Sequence, residues 1–217
     1  MSGLYALTWR ELSLICRTRA FWAAAGVYVV LLFMFVLVWG DGLPLANARP
    51  NWQQFNVAQS AVLSVLLPWT AARCGTLRIG DLVMLSMATA TAPSVLLIAR
   101  WIATSCALLV LGLTALPATL LVQQIGSAPL TSIGSSIATC AGLAAFAAAI
   151  TTGCVMVCKR PLNGWVAATT ITVATGAAMP LSIPTVAVWL LIAAGATIAL
   201  STFADYRLLH LAEETVP

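Results

Sequence analysis

The chain reads as an all-α polytopic membrane protein with six transmembrane helices, and three observations lead there. Hydrophobic residues make up 61% of the chain and charged residues 7%, against roughly 45–50% and 25% in a soluble domain, so its polar side chains cannot cover a water-facing exterior. Apolar stretches of about 20 residues recur along the chain, each enough to cross about 30 Å of hydrocarbon. When the chain is threaded through a bilayer on those stretches, only Arg49 of its 10 Lys and Arg residues falls on the far side. Arg10, Arg17, Arg19, Arg73, Arg78, Arg100, Lys159, Arg160 and Arg207 share the near side, which the positive-inside rule makes the cytoplasm, with both termini there. In 217 residues this leaves no room for a second soluble domain of about 50 residues or more, so residues 1–217 are expected to form a single transmembrane domain.

The first element, about residues 4–19, reads as a helix along the membrane surface. At about 100° per residue, Ala6, Arg10, Ser13 and Arg17 gather on one narrow polar face, Glu11 follows Arg10, and Trp9 sits at interfacial depth. A signal-peptide leader is the alternative, but the next span is too long for a signal h-region and lacks a small-residue cleavage site. That span runs from about Phe21 to Trp39, with Trp22 and Trp39 as interfacial anchors. The proline-rich segment from Gly40 to Gln54 forms an outer loop. The second span covers about Phe55 to Ala72, with Asn56, Gln59, Ser60 and Ser64 in its outer half.

Arg73 to Pro93 is too charged for a span and too apolar for a free loop. Arg73, Arg78 and Asp81 keep it out of the hydrocarbon, whereas Leu77, Leu82, Leu85 and Met87 give it apolar faces that call for a partner. A short helix at the cytoplasmic surface, docked on something else, satisfies both. The third span, about Ser94 to Val122, is longer than the bilayer is thick, which implies tilt or a cytoplasmic extension. Arg100 then lies near the inner interface, where snorkelling to water is favoured over a functional charge inside the membrane.

The fourth span, about Ser132 to Val157, carries a stripe of small residues at Gly134, Ala138, Gly142, Ala145 and Ala149, which admits a close helix neighbour. From Trp165 to Phe203 the apolar run suffices for two crossings, about 165–180 and 184–203, broken at Pro180 and Pro184. Thr169, Thr172 and Gly176 share a face of the fifth span. A threonine stripe is either a hydrogen-bonded helix contact or a pore lining.

Several chemistries lack their residues. His210 is the single histidine and stands in the tail, so no His-ligated haem or histidine-based hydrolase is expected within the spans. No carboxylate lies mid-span, which weighs against an ion-coupled carrier. With Lys159 the single lysine, no phosphate-binding G-x-x-x-x-G-K-[ST] loop exists. The six cysteines include no C-x-x-C pair; Cys154 and Cys158, one helical turn apart, are a weak metal or redox candidate, and no metal site or disulfide is expected. No nucleophile, base and acid constellation suggests an enzyme.

The order surface helix, two spans, amphipathic cytoplasmic element, four spans resembles the membrane subunit of type-2 ABC exporters, the ABC-2 permease family, over the whole chain. Trp9 to Trp22, WRELSLICRTRAFW, is similar to the family's connecting helix. Cys74 to Ala103 resembles its Gly-Thr-Leu cytoplasmic element, with Gly75, Thr76 and Leu77 on the motif, Leu82 and Leu85 at its apolar positions and Arg100 in place of a lysine. CKRPLNGW, Cys158 to Trp165, is similar to the basic turn before the fifth span. In size and layout the chain is similar to the haem-exporter permeases of cytochrome c maturation.

The resemblance implies a bacterial inner-membrane permease in which ATP and Mg are bound by a partner ABC ATPase subunit and no cofactor by this chain. A second permease chain, identical or different, and membrane lipid are the other implied partners; nucleic acid is not. It assigns ATPase coupling to Arg73, Gly75, Thr76, Leu77, Arg78, Asp81, Leu82 and Leu85, and matches Trp9, Arg10, Glu11 and Arg17 to the interfacial helix. It places the second and fifth spans along a cleft, making Phe55, Gln59, Leu63, Thr169, Thr172 and Gly176 candidates for contact with an amphiphilic, haem-, lipid- or drug-like substrate. A non-transporting membrane anchor of a respiratory or biosynthetic complex predicts the same spans; the docked cytoplasmic element separates the two readings.

Overall fold

Helix ends in this chain are written by proline, threonine and glycine, and they set which faces meet. The computed structural model describes residues 2–40, 52–75, 79–114, 131–158 and 161–178, with Pro117, Leu120, Ile192, Gly195 and Ala196. The described residues are all-helical: α1 (Ser2–Arg17), α2 (Arg19–Gly40), α3 (Trp52–Thr70), a π-helical turn (Ala71–Gly75), α4 (Ile79–Thr89), α5 (Pro93–Leu113), α6 (Thr131–Val157) and α7 (Pro161–Ala178). Most of the sixth predicted span, residues 41–51 of the outer loop, and Thr76, Leu77, Arg78, Lys159 and Arg160 lie outside the described residues; Gly40 and Trp52 to Gln54, expected in the loop, are helical.

A bend of 65° separates α1 from α2. Thr18 builds it: its hydroxyl donates to the Ile15 carbonyl at 2.8 Å and accepts from the Phe21 N–H at 3.4 Å, ending one helix and capping the next. Across the break the Trp22 indole N–H donates to the Cys16 carbonyl at 2.8 Å, satisfying an acceptor that the end of α1 leaves free. Thr18 also shares a hydrogen bond of 3.1 Å with the Cys74 thiol, which ties the bend to the π-helical turn. Pro68 precedes that turn inside α3 and has no N–H for the helical ladder, so the end of α3 is weakened where the wider turn begins.

Thr89 ends α4. Ala90 takes a left-handed conformation at φ 49°, and the Thr91 N–H returns to the Ser86 carbonyl at 3.3 Å, the closing bond usually made around a glycine. The Ser86 hydroxyl donates to the Thr91 carbonyl at 2.7 Å and braces the turn. Two residues later Pro93, at the first position of α5, starts the next helix with φ already set.

The long helices alternate in direction. Leu96 and Leu97 at the start of α5 cluster with Met156 near the end of α6, whereas Gly112 at the far end of α5 lies against Cys140. α6 and α7 form a hairpin so close that a Cβ on Gly164 would sit 2.8 Å from the Val155 Cα. Thr18 meeting Cys74 sets the start of α2 beside the end of α3. This arrangement collects Arg17, Arg19 and Arg73, all exposed, at one end of the bundle, the end that also carries α4, the end of α6 and the start of α7.

α6 is the central helix. Gly142 through Ala149 are buried without interruption, so burial runs round the whole circumference rather than along the predicted stripe, of which Gly134 is exposed and Ala138 half-buried. Around it pack Phe21, Ala24, Tyr28 and Leu32 of α2, Leu63 and Leu67 of α3, and Ala103, Ala107, Leu108 and Leu111 of α5. The Trp101 indole N–H donates to the Ala145 carbonyl at 3.1 Å, fixing α5 on α6. α2 is apolar on its outer side too, where Val27, Val30, Leu31 and Met34 are each about half exposed.

Among the described residues one helix, Pro93–Leu113, is by length and composition apolar enough alone to cross a membrane, and the bent pair Gly3–Arg17 with Arg19–Met34 passes the same test as one unit.

Candidate functional site

At the arginine-bearing end, α1, α4, the start of α5 and the end of α6 share an apolar cluster separate from the main core. Leu82, Leu96, Leu97 and Met156 are buried in it, with Leu7 and Leu85 packed alongside. This corrects one expectation for α4. Leu82 is 1% exposed and Leu85 half-buried, so the leucines expected to await an outside partner are covered by the chain itself. The face that α4 presents outward is Asp81, Met84, Met87 and Ala88, with Met84 72% and Met87 67% exposed. Sequence could show that α4 has an apolar face and a polar edge; it could not show that Leu7, Leu96 and Leu97 fill the apolar side. Arg73 is exposed in the π-helical turn that Gly75 closes.

α1 lies along the start of α5, one turn beyond this cluster. Its predicted polar positions Arg10 and Arg17 are exposed, as is Trp9. Glu11 is on the opposite side, against α5, where one carboxylate oxygen accepts from the Arg100 guanidinium at 2.5 Å. The two side chains are 20% (Arg100) and 11% (Glu11) exposed, so Arg100 does not reach out to water as expected but turns inward to a carboxylate. A charge pair this enclosed is costly to leave half-made. Burial also pushes the Cys16 thiol, near the end of α1, above its ordinary pKa, which keeps it protonated at neutral pH.

The predicted substrate-facing helices do pack against one another, α3 on α7. Their named side chains, however, are mostly inside the bundle. Gln59, Leu63 and Thr172 are buried, and Thr169 is half-buried. The Gln59 amide donates to the Tyr28 hydroxyl at 3.0 Å and toward the Cys140 sulfur at 3.7 Å, joining α2, α3 and α6 through one polar cluster. Thr172 donates to its own helix at the Ala168 carbonyl, 2.8 Å away, so the hydrogen-bonded contact is what this threonine makes. The hydroxyl of Thr169 and the indole N–H of Trp165 are buried without a hydrogen-bond partner on the same helix, four residues apart. Phe55 lies in α3 and Gly176 in α7.

Tyr28 and Cys140 were not singled out from sequence. A tyrosine away from both ends of an apolar helix was the available signal, since its hydroxyl must find a partner there. Among the described residues no group of three or more His, Cys, Asp or Glu side chains is placed to hold a metal ion. Comparison of the chain with protein-family models, curated proteins and solved structures finds no match.

Proposed function

We propose that the chain is the membrane-spanning permease subunit of an ATP-driven exporter of the ABC-2 type, crossing a bacterial inner membrane six times with both termini in the cytoplasm. ATP is hydrolysed on a separate subunit that docks at the arginine-bearing end, and the exported molecule is amphiphilic or hydrophobic, of haem-, lipid- or drug-like character. The observation that carries the reading is α4: a short helix outside the bundle's long helices, seated on them by Leu82 and Leu85, with Met84 and Met87 left uncovered beside Asp81. The gathering of exposed Arg17, Arg19 and Arg73 at that same end supports its cytoplasmic placement. The half-exposed aliphatic side of α2 supports contact with lipid.

A second reading, a non-transporting anchor subunit, draws on the enclosure of Gln59, Leu63 and Thr172, which leaves those groups nothing to offer a passing substrate. Purification separates the two. Extracted from its native host in mild detergent, the permease brings down a stoichiometric P-loop ATPase and the assembly hydrolyses ATP. Recovery with respiratory or biosynthetic subunits and no ATPase would overturn the permease reading in favour of the anchor.

A further inference from the structure

The cytoplasmic-end cluster is small, yet it unites three segments far apart in sequence: Leu7 of α1, Leu82 and Leu85 of α4, and Leu96 and Leu97 of α5. Apolar contact is non-directional and holds such helices together without fixing how one slides along another. One directional contact lies beside it, the Glu11 carboxylate on the Arg100 guanidinium, between helices 89 residues apart. Both groups are mostly enclosed, so parting them exposes a carboxylate and a guanidinium to an environment poorer than water. At its other end α1 turns through the 65° bend at Thr18, which is held by bonds to the Ile15 carbonyl and the Cys74 thiol.

We propose that Glu11 and Arg100 are positioning residues, a clasp that fixes the register of α1 along α5 and so couples α1 to the end of α5 on which α4 is seated. This rests on the permease reading for its purpose: a partner pressing on Met84 and Met87 of α4 then displaces α1 and α5 together. The clasp itself is testable without that reading. A force on α4 reaches α5 through the short Ala90 to Ala92 link and the shared cluster, and passes on to α1 along its contact with α5, of which this ion pair is the directional part.

Hydrogen exchange followed by mass spectrometry, on the full chain in lipid nanodiscs, tests the clasp. Glu11→Gln and Arg100→Gln are each expected to raise exchange in α1 about tenfold while α2 and α6 keep theirs. The exchanged pair Glu11→Arg with Arg100→Glu is expected to restore protection, which a loss of packing alone would not allow. Unchanged α1 exchange in both single variants, or no recovery in the exchanged pair, overturns the proposal. With the copurified ATPase present, trapping by ATP and vanadate is expected to change exchange in α4 and α1 together in the unaltered chain, and in α4 alone in Glu11→Gln. Transmission to α1 that survives in Glu11→Gln also overturns it. Absence of any ATPase sinks the permease reading and leaves the clasp to be judged on the isolated chain.

Discussion

The packing along α6 and the seating of α4 are built on different physics. Along α6, Gly164 of α7 lies so close to Val155 that a single added carbon would collide, Gly112 of α5 lies tightly against Cys140, and Gln59 bonds Tyr28 across neighbouring helices. α4, by contrast, is seated by Leu82 and Leu85 in a small apolar cluster with Leu7, Leu96, Leu97 and Met156. A close-packed region responds to change by losing stability, because its neighbours have nowhere to go. A sparsely held one can shift as a body, which suits it to receive a push from outside.

The largest effect separating the two regions is expected at Gly164. Gly164→Val places a branched side chain where even a Cβ would lie 2.8 Å from the Val155 Cα, so the α6–α7 hairpin must open. A loss of about 3 kcal/mol is expected, at the upper end for overpacking, read as a lower midpoint of thermal unfolding in detergent. Tolerance of valine there would mean that the hairpin is not close-packed.

The next effect is in the polar cluster beside α6. Gln59→Leu strands the Tyr28 hydroxyl and costs about 1–2 kcal/mol, and adding Tyr28→Phe recovers part of that loss, because an unmade bond costs more than an absent one. A double variant less stable than Gln59→Leu alone would contradict the pairing. Met84→Ala and Met87→Ala, at the exposed face of α4, are expected to change stability by less than about 0.5 kcal/mol.

The smallest expected effect is a gain. Ala90→Gly relieves the left-handed conformation after α4 and stabilises the chain by about 0.5–1 kcal/mol, visible as a modest rise in the same unfolding midpoint. A fall instead would show that the turn does not hold Ala90 at positive φ.

Much of the helix layout was legible in the residues. The fourth span predicted at about Ser132 to Val157 is α6, Thr131–Val157, and the third predicted from Ser94 begins at Pro93, because apolar runs here end at proline, glycine or charge. The short helix between the second and third spans was legible for the same reason: Asp81 and Arg73 interrupt an otherwise apolar stretch. The fifth span predicted from Trp165 begins a turn earlier, at Pro161, since proline suits a first helical turn. What escaped was pairing between distant segments. Nothing local to Arg100 points to Glu11, nothing local to Gln59 points to Tyr28, and a leucine on α4 looks the same whether Leu96 or another protein covers it.

The most direct test of the account is photocrosslinking from α4 in the native host. A photoreactive amino acid is placed in turn at Met84, Met87, Leu82 and Leu85. The account predicts crosslinks to one ATPase polypeptide from positions 84 and 87 and crosslinks within the chain from 82 and 85. An ATPase captured from 82 and 85 but not from 84 and 87, or capture of no ATPase at any of the four, would contradict it.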